Sequence, residues 1–191
     1  MGFNKTFANF PQLETERVIL RKLQMNDAPS MFRYFSIDQV TKFYDLTTFT
    51  TEKQAEDLIE SLLFKYEMRE QIRWAIVLKD TEQFIGTCGF HELEEEHWKA
   101  EIGYELHPDY WGKGIMTEVI NAVVQYGLIE IGLNRIEAIY DTRNISSAKL
   151  LEKNGFEVEG ILKKRFYKKG QFVDGVIAAI VKEDEQTQSP R

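Results

Sequence analysis

The chain has 191 residues, of which 43% are hydrophobic and 29% charged, and its net charge is −7. That length suffices for one domain with a sizeable core, and the acidic balance excludes a general nucleic-acid binder, which needs a basic face. Cys88 is the lone cysteine, so an internal disulfide and a cysteine metal framework are both excluded.

Residues 1–12 lack periodicity and read as an arm. Alternation begins at Arg17, with Val18 and Leu20 on one face and Arg17, Ile19 and Arg21 on the other, so the first strand lies within Leu13–Leu23. Asp27 stands where a helix N-cap is wanted, ahead of Met31, Phe32, Tyr34 and Phe35. Val40–Thr51 is irregular and aromatic. Thr51 opens a second helix, with Glu52 and Glu56 early and Leu58, Ile59, Leu62, Leu63 and Tyr66 along its apolar stripe.

Arg73–Leu78 reads as a strand, Lys79–Glu82 as a turn, and Phe84–Glu92 as the returning hairpin strand. Cys88 lies within that strand and reads as a buried structural thiol. Glu94–Glu96 is a charged loop. Lys99–Leu106 is a central strand, broken by Pro108 and Asp109. Tyr110-Trp111-Gly112-Lys113-Gly114 is a glycine turn. From Ile115 onward Val119, Ile120, Val123, Val124 and Leu128 recur at helical spacing.

Arg135–Tyr140 is the next strand. A helical crossover separates it from the central strand, so the two run parallel. A polar stretch leads into a helix over Ser147–Lys153, stopped by Asn154-Gly155. Phe156–Gly160 resumes a strand. Lys163, Lys164, Arg165, Lys168 and Lys169 form a local basic cluster, Gly170 turns the chain, and Val173–Val181 is the last strand. The polar stretch 183–191 reads as a frayed tail. No apolar run reaches membrane-span length and no signal peptide opens the chain, so the expectation is a cytoplasmic protein with no membrane partner. His91, His97 and His107 show no metal-ligand spacing, so no metal is expected.

A glycine turn that opens a helix presents several backbone N–H groups to one point, where the helix dipole adds positive potential. Gly112 and Gly114 therefore read either as an anion cradle, for a phosphate or pyrophosphate, or as ordinary turn glycines before a core helix. The Walker phosphate loop is absent, and the dinucleotide fingerprint fails for want of a third glycine.

The residues around that turn carry a resemblance. Gly103-Tyr104, Leu106, Pro108 and Trp111-Gly112-Lys113-Gly114 match the GY-L-P-x-x-WGKG pattern of GNAT N-acetyltransferases of the RimJ/RimL-like branch. Asp109 departs from the Gln or Arg usual in that motif. Leu13–Leu23 resembles the branch's LxTxRLxLRxL opening. Asn144–Phe156 resembles its NxxSxxLxxKxGF segment. The matches run in order from about Leu13 to Val181. The resemblance implies a single N-acetyltransferase domain over residues 1–191, with its core at about 13–183. The implied fold is α/β (α+β), a mixed sheet of about seven strands with helices on both faces.

It also implies acetyl-CoA as co-substrate and a primary amine as acceptor. The pantetheine arm would insert where the central strand and its parallel neighbour splay, pairing with the backbone of Glu105, Leu106 and His107. Amides from Trp111 through Gly112, Lys113, Gly114, Ile115 and Met116 would hold the pyrophosphate. Lys113 and Lys149 are charge partners for phosphate or solvated lysines, and Asn144 falls in the cofactor-binding set. An amine attacks only after losing a proton, and Glu101 is the first base in view. Glu105, four residues on, shares its strand face. Leu151 occupies the usual position of the family's tyrosine acid, so the acid role passes to Ser147, whose other reading is a helix cap.

The branch points to a protein N-terminal amine, for instance a basic one on a ribosomal protein. Two rivals stand beside it: a small-amine acetyltransferase for polyamines or aminoglycosides, and a CoA-binding regulatory module without catalysis. A homodimer is open to members of the family.

Overall fold

The structure is a computed structural model and describes residues 2–44, 46–168 and 170–183. Eight strands form one sheet: β1 (Leu13–Glu14), β2 (Val18–Lys22), β3 (Ile72–Leu78), β4 (Phe84–Glu94), β5 (Lys99–Leu106), β6 (Arg135–Asp141), β7 (Glu157–Lys168) and β8 (Gln171–Val181). Their spatial order is β1-β2-β3-β4-β5-β6-β8-β7. Every neighbouring pair is antiparallel except β5 with β6, which run parallel as the crossover requires. The strand beyond the expected seven is the two-residue β1, too short to show periodicity. The last hairpin is longer than expected, because the basic cluster is part of β7 rather than a loop. Lys169 and residues 184–191, including most of the expected tail, lie outside the described residues.

Helices cover both faces. On one side are α2 (Ala28–Phe35), α3 (Asp38–Thr41) and α4 (Glu52–Glu67); on the other is α5 (Ile115–Gln125), continued by a π-helical turn over Tyr126–Ile131, and α6 (Ile145–Lys153). The period of two on β3 shows how the sheet serves both layers. Ile72, Trp74 and Ile76 point into the core under α5, while Ala75 and Val77 point into the core under α2 and α4. Both sets are buried, as expected of an interior strand covered on both faces. Val119, Ile120 and Val123 of α5 are fully buried, and each such side chain contributes roughly 1.5–3 kcal/mol over exposure.

The N-terminal stretch is not an arm. Gly2–Ala8 form a short helix, α1, with Phe3 buried against the α5 core. The Tyr66 hydroxyl donates to Thr6 O at 2.9 Å, and the Trp74 indole donates to Pro11 O at 2.7 Å. Trp74 is completely buried, so its N–H needs an internal acceptor, and the N-terminal segment supplies it. Asp27 precedes α2 as expected, but its carboxylate does not cap that helix. It accepts from the Arg21 guanidinium and from the Gln24 amide. Among the described residues, no helix is long and apolar enough to cross a membrane, and no cluster of His, Cys, Asp and Glu is placed to hold a metal ion.

Candidate active site

The site begins where the sheet opens. β5 and β6 pair only through Lys99↔Arg135, Ala100↔Ile136 and Glu101↔Glu137. Beyond that point β5 stays with β4 as far as Leu106, and β6 stays with β8 as far as Asp141. The two strands fork into a cleft of about 1480 Å³. The His107 amide donates to Ile85 O at 2.8 Å. In an antiparallel pair, alternate residues face the partner, so Glu105 and His107 turn their backbone to β4, while Tyr104 and Leu106 turn theirs to the cleft.

This corrects the expectation for the backbones of Glu105 and His107, and His107 is held on both sides. Its amide is held by Ile85, and its carbonyl accepts from the Tyr110 amide. On the cleft side the Leu106 carbonyl accepts from the Trp111 indole at 2.7 Å, and the Tyr104 carbonyl accepts from the Tyr44 hydroxyl at 3.0 Å. The Leu106 N–H is the backbone donor aimed into the fork.

At the far end of the cleft lies the glycine turn. Gly112 and Gly114 have φ of +71° and +78°, the left-handed region that β-carbon sterics disfavour. Gly114 is the N-cap of α5, and the Glu118 amide makes the helix's first return bond, to Gly114 O. The amides of Ile115, Met116 and Thr117 are therefore left without intrahelical partners. Arg17, the residue before β2, pins the turn: its guanidinium donates to Lys113 O at 2.8 Å and to the Glu118 carboxylate at 2.7 Å. Lys113 reaches back over the Tyr110 ring. Amides without intrahelical partners, a helix N-terminus and lysines at the rim make a donor set suited to a pyrophosphate.

On the β6 side, α6 starts at Ile145, two residues earlier than expected. Asn144 is its cap, with Oδ1 accepting the Ser147 amide at 3.2 Å. Ser147 therefore does not cap the helix, and its hydroxyl faces that of Tyr104 in the cleft. Burial holds the Tyr104 phenol well above its ordinary value, so it remains a proton donor. Lys149 lies exposed on α6 at the cleft rim. Leu151, at the usual tyrosine position, is buried in the α5 core.

Glu101 and Glu105 share one face of β5, as the period of two predicts, yet their surroundings differ. Glu105 is buried, and its carboxylate accepts from Arg73, Thr87, Tyr34 and Tyr44. It anchors the α2–α4 connection to the sheet. Glu101 lies at the fork with a 17% exposed side chain. Burial pushes its carboxyl up to about 7, opposed by Arg165 and reinforced by Glu92 and Glu137. Cys88, by contrast, is fully buried with its thiol pushed up to about 12, and is inert.

Sequence reasoning missed Arg17, Arg73, Tyr44, Tyr104 and His91. Tyr104 stands inside the matched motif and could have been found there. The other four reach the site through strand register or from a distant loop.

Residues 17–157 match the Acetyltransferase (GNAT) domain family. The chain is 43% identical, over 92% of its length and 99% of the relative's, to the uncharacterized N-acetyltransferase YoaA of Bacillus subtilis. It is 26% identical, over 83% of each chain, to a spermidine N(1)-acetyltransferase of Escherichia coli. Its fold superposes with a TM-score of 0.82, at 18% identity and covering 90% of this chain and 98% of the other, on RimL, a ribosomal L7/L12 alpha-N-protein acetyltransferase solved in complex with coenzyme A. The forked sheet, the glycine turn and these likenesses together place the chain in the GNAT acetyltransferase family, as an acetyl-CoA-dependent N-acyltransferase.

Proposed function

We propose that this protein acetylates a protein N-terminal α-amine, of the kind carried by ribosomal proteins, by direct attack of the amine on the thioester. The observation that carries this reading is Glu101, a cleft carboxyl whose ordinary value of 4.5 is pushed up to about 7 at the mouth of the β5–β6 fork. A base poised near neutrality suits an α-amine, which ordinarily titrates at about 8 and is mostly protonated near pH 7.

Acetyl-CoA, when bound, supplies the activated acetyl group. The chain's own residues divide the remaining work. Amides from Trp111 to Met116, with Lys113 and Lys149 at the rim, hold the phosphates. Leu106 turns its carbonyl, which has a second lone pair beside the Trp111 bond, to the pantetheine arm, while the Glu105 side chain fixes the strand behind it. Asn144 holds α6 in place at the cleft edge. Glu101 takes the amine proton. The Leu106 N–H donates to the oxygen on which negative charge develops. Ser147, backed by the Tyr104 hydroxyl, donates a proton to the departing sulfur.

A second reading, a small polycationic amine as acceptor, draws on Glu92 and Glu94, which add carboxylates to the cleft lining. Thiol release from acetyl-CoA across a panel of acceptors separates the two. Release with peptides bearing free Ala, Ser or Met N-termini, and none with the same peptides blocked, is the expected result. Release with spermidine or aminoglycosides alone would replace the first reading by the second. Tight acetyl-CoA binding without release from any acceptor would favour the non-catalytic module.

A further inference from the structure

His91 and Glu101 stand directly opposite each other across β4 and β5. Their side chains rise on the same face, as opposed residues of an antiparallel pair must. The imidazole Nδ1 lies 2.8 Å from the backbone carbonyl oxygen of Glu101. A carbonyl can only accept, so in the neutral ring Nδ1 carries the hydrogen and Nε2 is left as an acceptor. Nε2 lies 3.5 Å from Glu101 Oε1. One ring thus holds the backbone of Glu101 and faces its carboxyl group.

The neighbours of the ring keep it there. Gly103 is the next residue on this face of β5. A Cβ at that position would stand 2.8 Å from Arg73 Nη1 and 3.4 Å from His91 Cε1. The missing side chain makes the space in which the guanidinium and the imidazole lie. The register between β4 and β5 slips between His91 and Glu94, so the pairing is interrupted immediately after His91. The imidazole is 38% exposed against 17% for the Glu101 side chain, and therefore connects the carboxyl to solvent. Burial, and next the Arg73 charge, hold the imidazole below its ordinary value, which keeps it neutral at pH 7.

We propose that His91 is the positioning residue of Glu101: its Nε2 orients the carboxyl group and receives the proton that Glu101 removes from the acceptor amine. The inference rests on Glu101 being the base. The amine N–H bond breaks, and its electron pair stays on nitrogen as the amide forms. The proton bonds to the Glu101 carboxylate, passes to Nε2 to give an imidazolium, and leaves for water from the exposed edge of the ring. Both groups return to their starting states, with no other reactant consumed. The charges facing the pair are Arg73 from β3, Glu92 from β4, Lys65 from α4, Glu137 from β6 and Arg165 from β7.

His91→Asn tests this, because asparagine retains a side-chain N–H where Nδ1 stood and has nothing where Nε2 stood. An acceptor at Nε2 favours the protonated carboxyl, so its loss should move the acidic limb of the kcat/KM profile down by roughly half to one pH unit. The turnover number should fall about tenfold, the size of effect that one lost hydrogen bond of ordinary strength supplies. The KM for acetyl-CoA and the melting temperature should stay near wild type. A wild-type limb and turnover in His91→Asn would overturn the inference. Nitrogen-15 shifts of the His91 ring in the unmodified protein give a second reading, independent of any variant. They should report hydrogen on Nδ1 at pH 7, and hydrogen on Nε2 would refute the assignment. Glu101→Gln, assayed alongside, separates the two levels. If it stays active the base is elsewhere; if it is inactive while His91→Asn behaves as wild type, only the role of His91 falls.

Discussion

Arg73 on β3 and Glu105 on β5 are an ion pair that reaches across an entire strand. Between them runs β4, whose Thr87 hydroxyl donates to the same carboxylate and accepts from Arg73 Nε at 2.6 Å. Tyr34 and Tyr44 complete the shell from the helical layer above. The arrangement ties three strands and the α2–α4 connection to the floor of the cleft. With side-chain exposures of 12% and 5%, neither charge has water to fall back on. Removing one partner of such a pair costs about 3–5 kcal/mol, because the other charge is left buried and alone. Arg73→Met is therefore expected to lower the denaturation midpoint strongly at pH 7, and urea unfolding followed by circular dichroism would show it. A midpoint within experimental error of wild type would mean that the pair contributes no net stability.

Glu101→Gln should reduce turnover by 10²–10⁴-fold at neutral pH, the usual scale for loss of a positioned base. Wild-type kcat/KM should fall as pH drops through about 7, where the carboxylate takes up its proton. The loss in the variant should shrink at high pH, where the amine arrives already deprotonated. Equal activity of the two proteins at every pH would remove Glu101 from the mechanism.

The same residue makes a thermodynamic prediction of opposite sign. The folded Glu101 carboxyl sits at about 7 against an ordinary 4.5, so between those values the folded state binds the extra proton. Its favourable contribution is complete below about pH 4.5 and is lost as pH rises through about 7. The difference amounts to at most about 3 kcal/mol. Glu101→Gln should therefore stabilise the protein at pH 8.5 relative to wild type and do little at pH 4.5. Thermal melts at the two values would decide; a destabilised variant at pH 8.5 would contradict the placement of the carboxyl.

Ser147→Ala should lower turnover while leaving acetyl-CoA affinity intact, because the α6 cap belongs to Asn144. The departing thiol has a pKa of about 8.5 and leaves without much help, so a loss of about tenfold is expected. Calorimetric titration beside steady-state kinetics separates binding from turnover. Unchanged turnover would reduce Ser147 to a lining residue.

Gly114→Ala addresses the cradle. The new Cβ has room, standing 3.5 Å from Arg17 Nη2, but the residue must keep φ near +78°. That conformation costs an L-residue about 1–2 kcal/mol. The turn can escape the cost only by turning its amides away from the phosphates. Acetyl-CoA affinity should drop about tenfold, read by the same titration, and unaltered affinity would place the phosphates elsewhere.

Much of this protein is local and could be read directly from the sequence. A period of two placed Glu101 and Glu105 on one face, because strand geometry fixes the face of every second residue. The two glycines, followed by Ile115, Val119, Ile120 and Val123 at helical spacing, marked the turn and α5 for the same local reason. The order of the three motifs carried the family, and the helical crossover carried the parallel pairing of β5 with β6.

What tertiary structure decided depends on register and on burial. His91 meets Glu101 because β4 and β5 keep one unbroken offset from Gly86↔Leu106 to His91↔Glu101, which shifts only beyond that pair, before the 3₁₀ turn over Glu95–His97. No spacing along the chain encodes that offset. Arg73 and Glu105 are 32 residues apart and meet across a third strand. Residues 2–8 form a helix because Phe3 has a core to enter and the Tyr66 hydroxyl takes Thr6 O as its acceptor. Seven residues alone cannot hold a helix in water. The two carboxylates on one strand face thus came from the sequence, while their separate fates, one locked by Arg73 and one poised near neutrality, came from what the fold packs around each.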